Sequence, residues 1–475
     1  MKKQNLLATA ILGATLVGCG SDSNDGEGKD LSFVTCNEDT KVCTLEGTMT
    51  ENYTLEAEYE YRLSGVLQVG EGNETLETTA DADAVKDAGV TLTIEPGVHV
   101  RANSDGVLLV TRGSKLMAEG TAADPITFSS KQDDDFDGLG EWGGVVVQGF
   151  APQYGAGNTG VCGTEVCNVE GEGGDFIGMF GGTDKADNSG VIKYVRIAEA
   201  GKVAGPNKEI NGLTLMGVGH GTVVDYVQVH GNLDDGIEWF GGTVNVTHAV
   251  LTNNDDDAID FDEGYQGNIQ FAIVVQNQDP EATPVGSNDP RGIEANSSDD
   301  EYVPQTQATL ANITVVNGPI AADEPGIRLR GSVNVDLVNS VIAADAANKG
   351  CIRIDDSDHD ADGELKDGSK NPSASPKKDT PINLVNVIAS GCDTTFPKEQ
   401  PESSTGLVEE VATFDTAWAL TNTAATLSSA PTINAVDNGS GFTFEATTYI
   451  GAVEPGTAAA SAWYAGWIID GSLDQ

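Results

Sequence analysis

The sequence predicts an all-β fold, a right-handed parallel β-helix (a solenoid) with loop insertions and end caps. A short phrase recurs along the chain, in which Gly or Ala is followed by an aliphatic residue, a polar residue and another apolar residue. The first three copies occupy residues 212–215, 236–239 and 258–261, so they begin 24 and 22 residues apart. Internal repeats of this length are typical of solenoids. Helices should be scarce, because no long stretch shows apolar residues at helical spacing.

Each copy is followed by a companion strand rich in Val and Ile, so each coil is expected to carry at least two strands. Later copies lie at 292–295, 326–329 and 351–354, and companions at 222–229, 244–251, 268–275, 311–316, 333–342 and 382–388. Because side chains alternate along a strand, one apolar stack is expected inside the coil: Leu213, Ile237, Ile259, Ile293, Ile327 and Ile352. The matching ladder outside it is Thr214, Glu238, Asp260, Glu294, Arg328 and Arg353.

Residues 1–18 fit a bacterial lipoprotein signal peptide. Two lysines precede an apolar run at 6–17, and residues 16–19 read Leu-Val-Gly-Cys. Cys19 is therefore the predicted lipidation site, where buried acyl chains such as palmitate would anchor the protein to a membrane without spanning it. Gly20 favours the outer membrane and leaves open whether the protein faces the periplasm or the cell surface. The alternative is an ordinary cleaved signal peptide with an incidental cysteine.

Composition divides the rest of the chain. Residues 19–30 are polar, Gly-rich and acidic, which is typical of a flexible tether. Beyond them we predict an N-terminal cap region at 31–89, the parallel β-helix at 90–395, and C-terminal rungs with a cap at 396–475. Loop insertions between repeats are expected at 279–290 and 358–380.

Six cysteines remain once Cys19 is assigned to lipid, and they can form three disulfides outside the cytoplasm. The candidates fall into neighbouring pairs: Cys36 with Cys43, Cys162 with Cys167, and Cys351 with Cys392. Spacing alone does not establish this connectivity, and free buried thiols are the alternative.

The net charge is −49, from 74 acidic residues against 25 Lys and Arg, and it becomes −51 when Lys2 and Lys3 leave with the signal peptide. Nucleic acid is excluded as a partner, because binding phosphates requires basic groups that are scarce here. A strongly acidic surface resists self-association and attracts divalent cations. Adaptation to a salty habitat would produce the same charge, and the two explanations are compatible.

Two segments place Asp at alternate positions before a Gly, as in the first half of a calcium-binding loop. The candidate calcium ligands are Asp133, Asp135 and Asp137 before Gly138, and Asp358, Asp360 and Asp362 before Gly363. The acidic residue that closes a complete EF-hand loop is missing from both, where Gly144 and Ser369 stand. The alternative is a pair of solvated acidic turns.

The densest acidic cluster lies on adjacent repeats, where the outer ladder contains Glu238, Asp260 and Glu294. Further along the chain, the same ladder contains the basic residues Arg328 and Arg353. Like charges on adjacent coils are destabilising without a cation or a shared proton. The face could therefore hold an anionic sugar through bound calcium and arginine, and the alternative is a ladder that neutralises itself. The candidate ligand-face residues are Asp235, Glu238, Phe240, Asp257, Asp260, Asp262, Glu294, Arg328, Arg330 and Arg353. We expect Trp239 to point inward and Phe240 outward, towards a sugar or a partner or beneath a covering loop.

Upstream strands at 90–100, 113–121, 125–128 and 142–147 resemble the opening rungs of secreted bacterial β-helix proteins. With the segments at 449–453 and 463–467, the chain resembles the β-helix lipoproteins of marine and environmental Gram-negative bacteria. The resemblance covers about residues 90–470 and implies the solenoid, but it implies no activity.

Taken together, these features predict an outer-membrane or cell-surface lipoprotein that acts as a calcium-supported binding or scaffold module for a glycan or an outer-membrane partner. One alternative is a calcium-dependent polysaccharide lyase or glycoside hydrolase, in which Asp235 works with Asp256 or Asp257. Binding is favoured over catalysis, because His220 precedes these carboxylates whereas the His motif of pectin-degrading glycosidases follows them. A second alternative is an accessory lipoprotein of an outer-membrane uptake system.

Overall fold

The computed structural model describes residues 30–132, 135–154, 166–173, 175–202, 210–279, 290–297, 303–319, 324–345, 348–355 and 381–474. The strands are β1 Val34–Asn37, β2 Val42–Met49, β3 Tyr53–Leu55, β4 Glu60–Val69, β5 Thr91–Ile94, β6 His99–Ala102, β7 Val107–Val110, β8 Lys115–Glu119, β9 Ile126–Ser130, β10 Val145–Gln148, β11 Val169–Glu170, β12 Met179–Phe180, β13 Gly190–Ala198, β14 Leu213–Met216, β15 Val223–His230, β16 Ile237–Phe240, β17 Val246–Thr252, β18 Ile259–Asp262, β19 Gln266–Val275, β20 Ile293–Asn296, β21 Gln307–Val316, β22 Ile327–Arg330, β23 Asn334–Ala343, β24 Ile352–Ile354, β25 Ile382–Ser390, β26 Ser403–Thr405 and β27 Val408–Glu409. One α-helix, α1, spans Thr79–Ala88.

The strands form a right-handed parallel β-helix, which confirms the predicted fold class. Strands β7, β10, β14, β16, β18, β20, β22 and β24 pair in parallel, one after another, and are called the first stack. Strands β13, β15, β17, β19, β21, β23 and β25 form the second stack in the same way. From β13 to β25 the chain alternates between the stacks, so each coil supplies one strand to each. Crossovers between parallel strands are right-handed in almost all proteins.

The interior of the coil is a continuous apolar core. Leu213, Ile237, Ile259, Ile293, Ile327 and Ile352 lie in register in the first stack, and each is at most 1 % exposed. The predicted inward stack is therefore confirmed. Trp239 is 1 % exposed within the same core, so it points inward as predicted.

The N-terminal end is closed by an antiparallel pair of strands, β1 and β2, joined by a disulfide between Cys36 and Cys43. Parallel pairing then begins with β2 and β4, inside the segment predicted as the cap region. Helix α1 is preceded by a capping box in which Thr78 accepts a hydrogen bond from the Asp81 backbone and Asp81 accepts one from the Thr78 backbone. This exchange satisfies amides that a helix start leaves unpaired.

One corner of the second stack carries a ladder of residues with left-handed φ angles between 49° and 61°. Register places its members on successive coils: Tyr194, Tyr226, His248, Phe271, Asn312, Asn339 and Asn386. The first four rings are stacked, with centroids 4.4, 4.2 and 5.1 Å apart. Asn386 continues the ladder by donating from Nδ2 to Oδ1 of Asn339, at 2.9 Å. We call this row the corner ladder.

Residues 410–474, called the C-terminal segment, lie across the outside of the coils. Trp463 packs edge-on against His248 with centroids 5.1 Å apart, and Trp467 packs edge-on against Tyr226 at 6.0 Å. Further along, Nδ2 of Asn312 donates to the Gly451 carbonyl at 3.1 Å. The segment therefore covers the corner ladder, and parallel strand pairing ends before it, at β27.

Two of the three predicted disulfides are present, Cys36–Cys43 and Cys351–Cys392. Cys162 lies outside the described residues, so its pairing with Cys167 stays a prediction. Among the described residues, no helix is both long and apolar enough to cross a membrane. The predicted signal peptide, Cys19 and most of the tether also lie outside these residues.

Candidate functional site

The carboxylates predicted to form the outer ladder lie side by side on the first stack. Glu238 of β16 is opposite Asp260 of β18, which is opposite Glu294 of β20. A tight turn precedes each of these short strands. The turn residues that stand two positions before the first inward residue of each strand therefore form a second row on successive coils. That row contains Asp235 and Asp257, and the Asp257 amide donates to Oδ1 of Asp235 at 2.9 Å.

Five carboxylates converge on two adjacent coils, and we call them the acidic ladder: Asp234, Asp235, Glu238, Asp256 and Asp260. They form two groups of three, Asp234–Asp235–Asp256 and Asp235–Glu238–Asp260, and in each the ligand oxygens lie within 4.8 Å of one another. Asp235 belongs to both groups. Asp235 and Glu238 are only 6 % and 8 % exposed. Spacing of this kind suits a hard cation that takes several oxygen ligands.

Burial and mutual repulsion disfavour the charged forms of these groups. Burial raises the pKa of Asp235 well above its usual value, and the charges of Asp256 and Glu238 raise it further. Burial likewise raises the pKa of Glu238, with added repulsion from Glu172 and Asp260. The pKa of Asp260 is raised in the same way by burial and Glu294. The acidic ladder therefore needs either protons or a cation.

Asn211 contacts the site through its side-chain amide. Its Nδ2 donates to Oε2 of Glu238 at 2.5 Å and to Oγ1 of Thr214 at 3.3 Å. Its Oδ1 is buried and has no hydrogen-bond partner among the described residues, and the same holds for Oδ1 of Asp260. A buried amide oxygen without a donor is a suitable ligand for a hard cation.

The basic half of the ladder is already neutralised. Arg291 is 1 % exposed, and its guanidinium lies 3.1 Å from Asp257, 2.6 Å from Glu294 and 2.9 Å from Glu324. Burial alone would raise the pKa of Glu294, but Arg291 and Arg330 outweigh it and lower that pKa. For this half, the alternative of a ladder that neutralises itself describes the structure.

Asp355 pairs with Arg328 and Arg353 of the first stack and with Lys398. Its carboxylate lies 3.2 Å from Arg328, 2.9 Å from Arg353 and 2.6 Å from Lys398. Arg330 pairs with Glu294 instead, at 2.6 Å, although its side chain is 42 % exposed. Sequence reasoning missed Asp355, because it lies in the irregular chain after the last strand of this stack.

Two other predicted residues do not offer a free surface. Asp262 accepts hydrogen bonds from the Tyr154 hydroxyl and from Asn296, the latter at 3.1 Å. Phe240 leaves the coil as predicted but is 8 % exposed, because it packs with Met216 and Phe180 beneath β11 and β12. The alternative of cover by a neighbouring segment is therefore correct, and Phe240 is removed from the ligand-face candidates.

The predicted calcium loops are only partly described. Asp135 and Asp137 are exposed and line a cavity that also contacts Asp255 and Asp470. Asp133, Asp358, Asp360 and Asp362 lie outside the described residues, so calcium at both loops stays a prediction. Asn211 was missed as well, although it stands at the same distance before its repeat phrase as Asp235 and Asp257.

The chain was compared with known protein families, curated protein sequences and solved structures. No curated protein sequence matches the chain. Among solved structures, it is distantly similar to the periplasmic alginate epimerase AlgG, with 12 % identity, a TM-score of 0.27 and 80 % of each chain covered. It is also similar to the A-module of the mannuronan C-5 epimerase AlgE4 of Azotobacter vinelandii, with 10 % identity and a TM-score of 0.20, over 71 % of this chain and 98 % of that one. The model of the pectate-lyase like beta helix domain matches residues 47–468, and the chain therefore belongs to that family.

Proposed function

We propose that the chain is an extracytoplasmic, lipid-anchored β-helix that binds an acidic polysaccharide through calcium held by the acidic ladder. The observation that carries the proposal is that the acidic ladder contains two groups of three carboxylates, and that Asp235 belongs to both. The basic side chains of the same stack are paired with Glu294, Asp257 and Asp355 instead. The acidic ladder is therefore the part of the face whose charge calls for an added cation.

Calcium suits this arrangement because it takes six to eight oxygen ligands in a flexible geometry. The carboxylates of Asp235, Glu238 and Asp260 supply hard oxygen ligands within 4.8 Å of one another. A divalent ion would relieve the repulsion that burial strengthens. Ligand positions left open by the protein would go to water or to a ligand carboxylate.

A polysaccharide is favoured as the ligand by the family, whose description names pectate lyase. An acidic sugar can bridge to the protein through a bound calcium ion, and its remaining length can follow the first stack. Arg328 and Arg330 pair with Asp355 and Glu294 but are 25 % and 42 % exposed, so their outer edges would meet a second acidic unit there. Lipidation of Cys19 would hold this face at the outer membrane, and acyl labelling of wild type against Cys19→Ala tests that part separately.

The first test is thermal unfolding with calcium and with chelator, followed by a panel of acidic and neutral glycans under both conditions. We expect calcium to raise the melting temperature and to switch on binding of the acidic glycans. In Glu238→Gln/Asp260→Asn both effects should disappear. The matched control is Glu402→Gln/Asp437→Asn, which makes the same charge change at two exposed positions and should behave as wild type.

If calcium changes neither melting nor binding, the acidic ladder is held by shared protons and the proposal is wrong. If calcium raises the melting temperature but no glycan binds, calcium has only a structural role, and the glycan part of the proposal is wrong. The two outcomes are distinguishable because the melting experiment contains no glycan.

Catalysis is the second candidate, and the pKa of Asp235, which burial raises, favours it, since a carboxyl with a raised pKa can act as a general acid. The same glycan panel tests it when it is followed for chain shortening and for unsaturated sugar products. Products that appear in wild type and vanish in Asp235→Asn would indicate a lyase or hydrolase. Bound but intact glycan would indicate a binding module.

A further inference from the structure

A cavity of about 340 Å³ lies where three parts of the chain meet, and none of the five carboxylates of the acidic ladder lines it. They are the loop at 135–139, the corner of the second stack at 253–255, and the end of the C-terminal segment at 469–472. Clefts of about 300 Å³ and more are of the size that holds small molecules in proteins.

The wall of this cavity carries negative charge. Asp135, Asp137, Asp255 and Asp470 all line it, and the lining residues include neither Lys nor Arg. The one imidazole, that of His230, is buried with a pKa lowered to about 4, so it adds no positive charge near neutral pH. Arg196, which does not line the cavity, interacts with Asp470 through its charge and offsets part of it.

The wall also carries apolar surface and a buried side-chain amide. Phe136, Leu139 and Ile469 lie among the carboxylates. Asn254 lines the cavity and is 1 % exposed, yet neither its amide oxygen nor its amide nitrogen has a hydrogen-bond partner among the described residues. A ligand with both methylene groups and hydrogen-bonding groups would match such a wall.

Among the described residues, the carboxylates of this cavity are not grouped closely enough to share one metal ion. Within the described part of the chain, groups of three acidic residues with oxygens inside 4.8 Å of one another occur only in the acidic ladder, not around this cavity. A calcium ion needs oxygen ligands within 2.3–2.6 Å of its centre. Carboxylates spread over a wider wall are better bridged by a longer cation with separated charges.

We infer that this cavity binds a small organic polycation, a di- or polyamine whose amino groups pair with separate carboxylates while its methylene groups contact Phe136 and Leu139. Ammonium groups form charge-assisted hydrogen bonds with carboxylates, and contact with an aromatic face adds a cation–π contribution. The site is independent of the acidic ladder and of the proposed glycan.

Calorimetric titration of the purified chain with spermidine, at physiological salt and with chelator present, tests the inference. Asp137→Asn/Asp470→Asn removes two exposed wall carboxylates, and Leu139→Trp fills the cavity without changing its charge. Each should weaken spermidine binding about tenfold or more. The control Glu402→Gln/Asp437→Asn removes the same charge at positions that do not line the cavity, and its affinity should stay within about twofold of wild type.

Melting temperatures of all variants confirm that they are folded. Equal weakening in the control would reduce the effect to general attraction by an acidic surface and overturn the inference. Unchanged binding in Leu139→Trp would place spermidine elsewhere and overturn it too. Calcium that displaces spermidine, with both losing affinity in Asp137→Asn/Asp470→Asn, would make this a metal site instead.

Discussion

At the residue scale, the buried carboxyl of Asp187 predicts a pH-dependent stability that is separate from the proposed ligand sites. Burial raises its pKa from 3.8 to about 6, although Ser189 and the Phe150 backbone offset part of the effect through hydrogen bonds. Because the folded state binds the proton more tightly than the unfolded state, this contribution is fully present below pH 3.8 and is lost as the pH rises through 6.

The variant Asp187→Asn cannot ionise, so its stability relative to wild type should rise between pH 4 and pH 6, by about 3 kcal/mol if the whole shift is realised. Denaturant unfolding of both proteins at pH 4 and pH 8 measures this difference. A constant difference across that range would show that Asp187 keeps an ordinary pKa.

The buried guanidinium of Arg291 should matter far more for stability than a partly exposed arginine in the same network. Arg291→Met leaves Asp257, Glu294 and Glu324 without their main cation, which should cost about 3–5 kcal/mol. Arg330→Met removes a pair whose arginine is 42 % exposed and should cost about 1 kcal/mol or less. Denaturant unfolding measures the free energy of unfolding of both variants. Similar losses in the two would contradict the prediction, because they would mean that burial does not strengthen the ion pairs of Arg291.

Which residues form the candidate site could be predicted only where the repeat pattern reaches. Alternation gave Glu238, Asp260 and Glu294 their common outward face, and the register confirms it. Burial of Phe240 could not be predicted, because the cover comes from β11 and β12, more than fifty residues away in sequence. Neutralisation by Asp355 likewise depends on an irregular turn that has no periodic signal.

At the element scale, the corner ladder has an aromatic half and an asparagine half, and each half stabilises the left-handed backbone conformation in a different way. Asparagine tolerates this conformation through local hydrogen bonding, whereas Tyr, His and Phe occupy it at a cost. In the aromatic half the stacked rings offset that cost. The C-terminal segment covers both halves, with Trp467 on the rings and Thr447 bonded to Asn339 at 3.0 Å.

This difference predicts unequal responses to substitution in the two halves of the ladder. Tyr226→Ala removes contacts to Tyr194, His248 and Trp467 and leaves Ala with φ near 56°, so it should cost about 3–5 kcal/mol. Asn386→Gly loses one hydrogen bond but adopts left-handed φ freely, so its stability should change by about 1 kcal/mol or less. Thermal unfolding of both variants is the measurement, and a larger loss at Asn386 would contradict the explanation.

The strands could be predicted from the sequence more accurately than helix α1 or the path of the C-terminal segment. The companion strands are β15, β17, β19, β21, β23 and β25, each overlapping its predicted range, because a half-buried strand must alternate. Helix α1 has no buried residue and so carries no apolar stripe by which to find it. The path of the C-terminal segment across the coils is fixed by contacts over 100–250 residues of sequence, which no local pattern records.

At the scale of the whole molecule, the disulfide between Cys351 and Cys392 closes a loop with a sequence separation of 41 near the C-terminal end of the coils. A loop of that length predicts a stabilisation of roughly 4 kcal/mol, through restriction of the unfolded chain. Cys351→Ser should therefore lower the melting temperature under oxidising conditions and have a much smaller effect when reductant is present. Equal losses in both conditions would show that packing of Cys351, and not the bond, provides the stability.

The route of the C-terminal segment has a consequence for how the protein is made. Coils pair with their neighbours, so they can form in order as the chain emerges from its N-terminal end. The aromatic rings and amides of the corner ladder nevertheless stay uncovered until residues 447–467 of the C-terminal segment arrive. A chain that lacks the C-terminal segment would keep this row exposed to chaperones and proteases, so exposure of the corner ladder distinguishes chains with and without that segment.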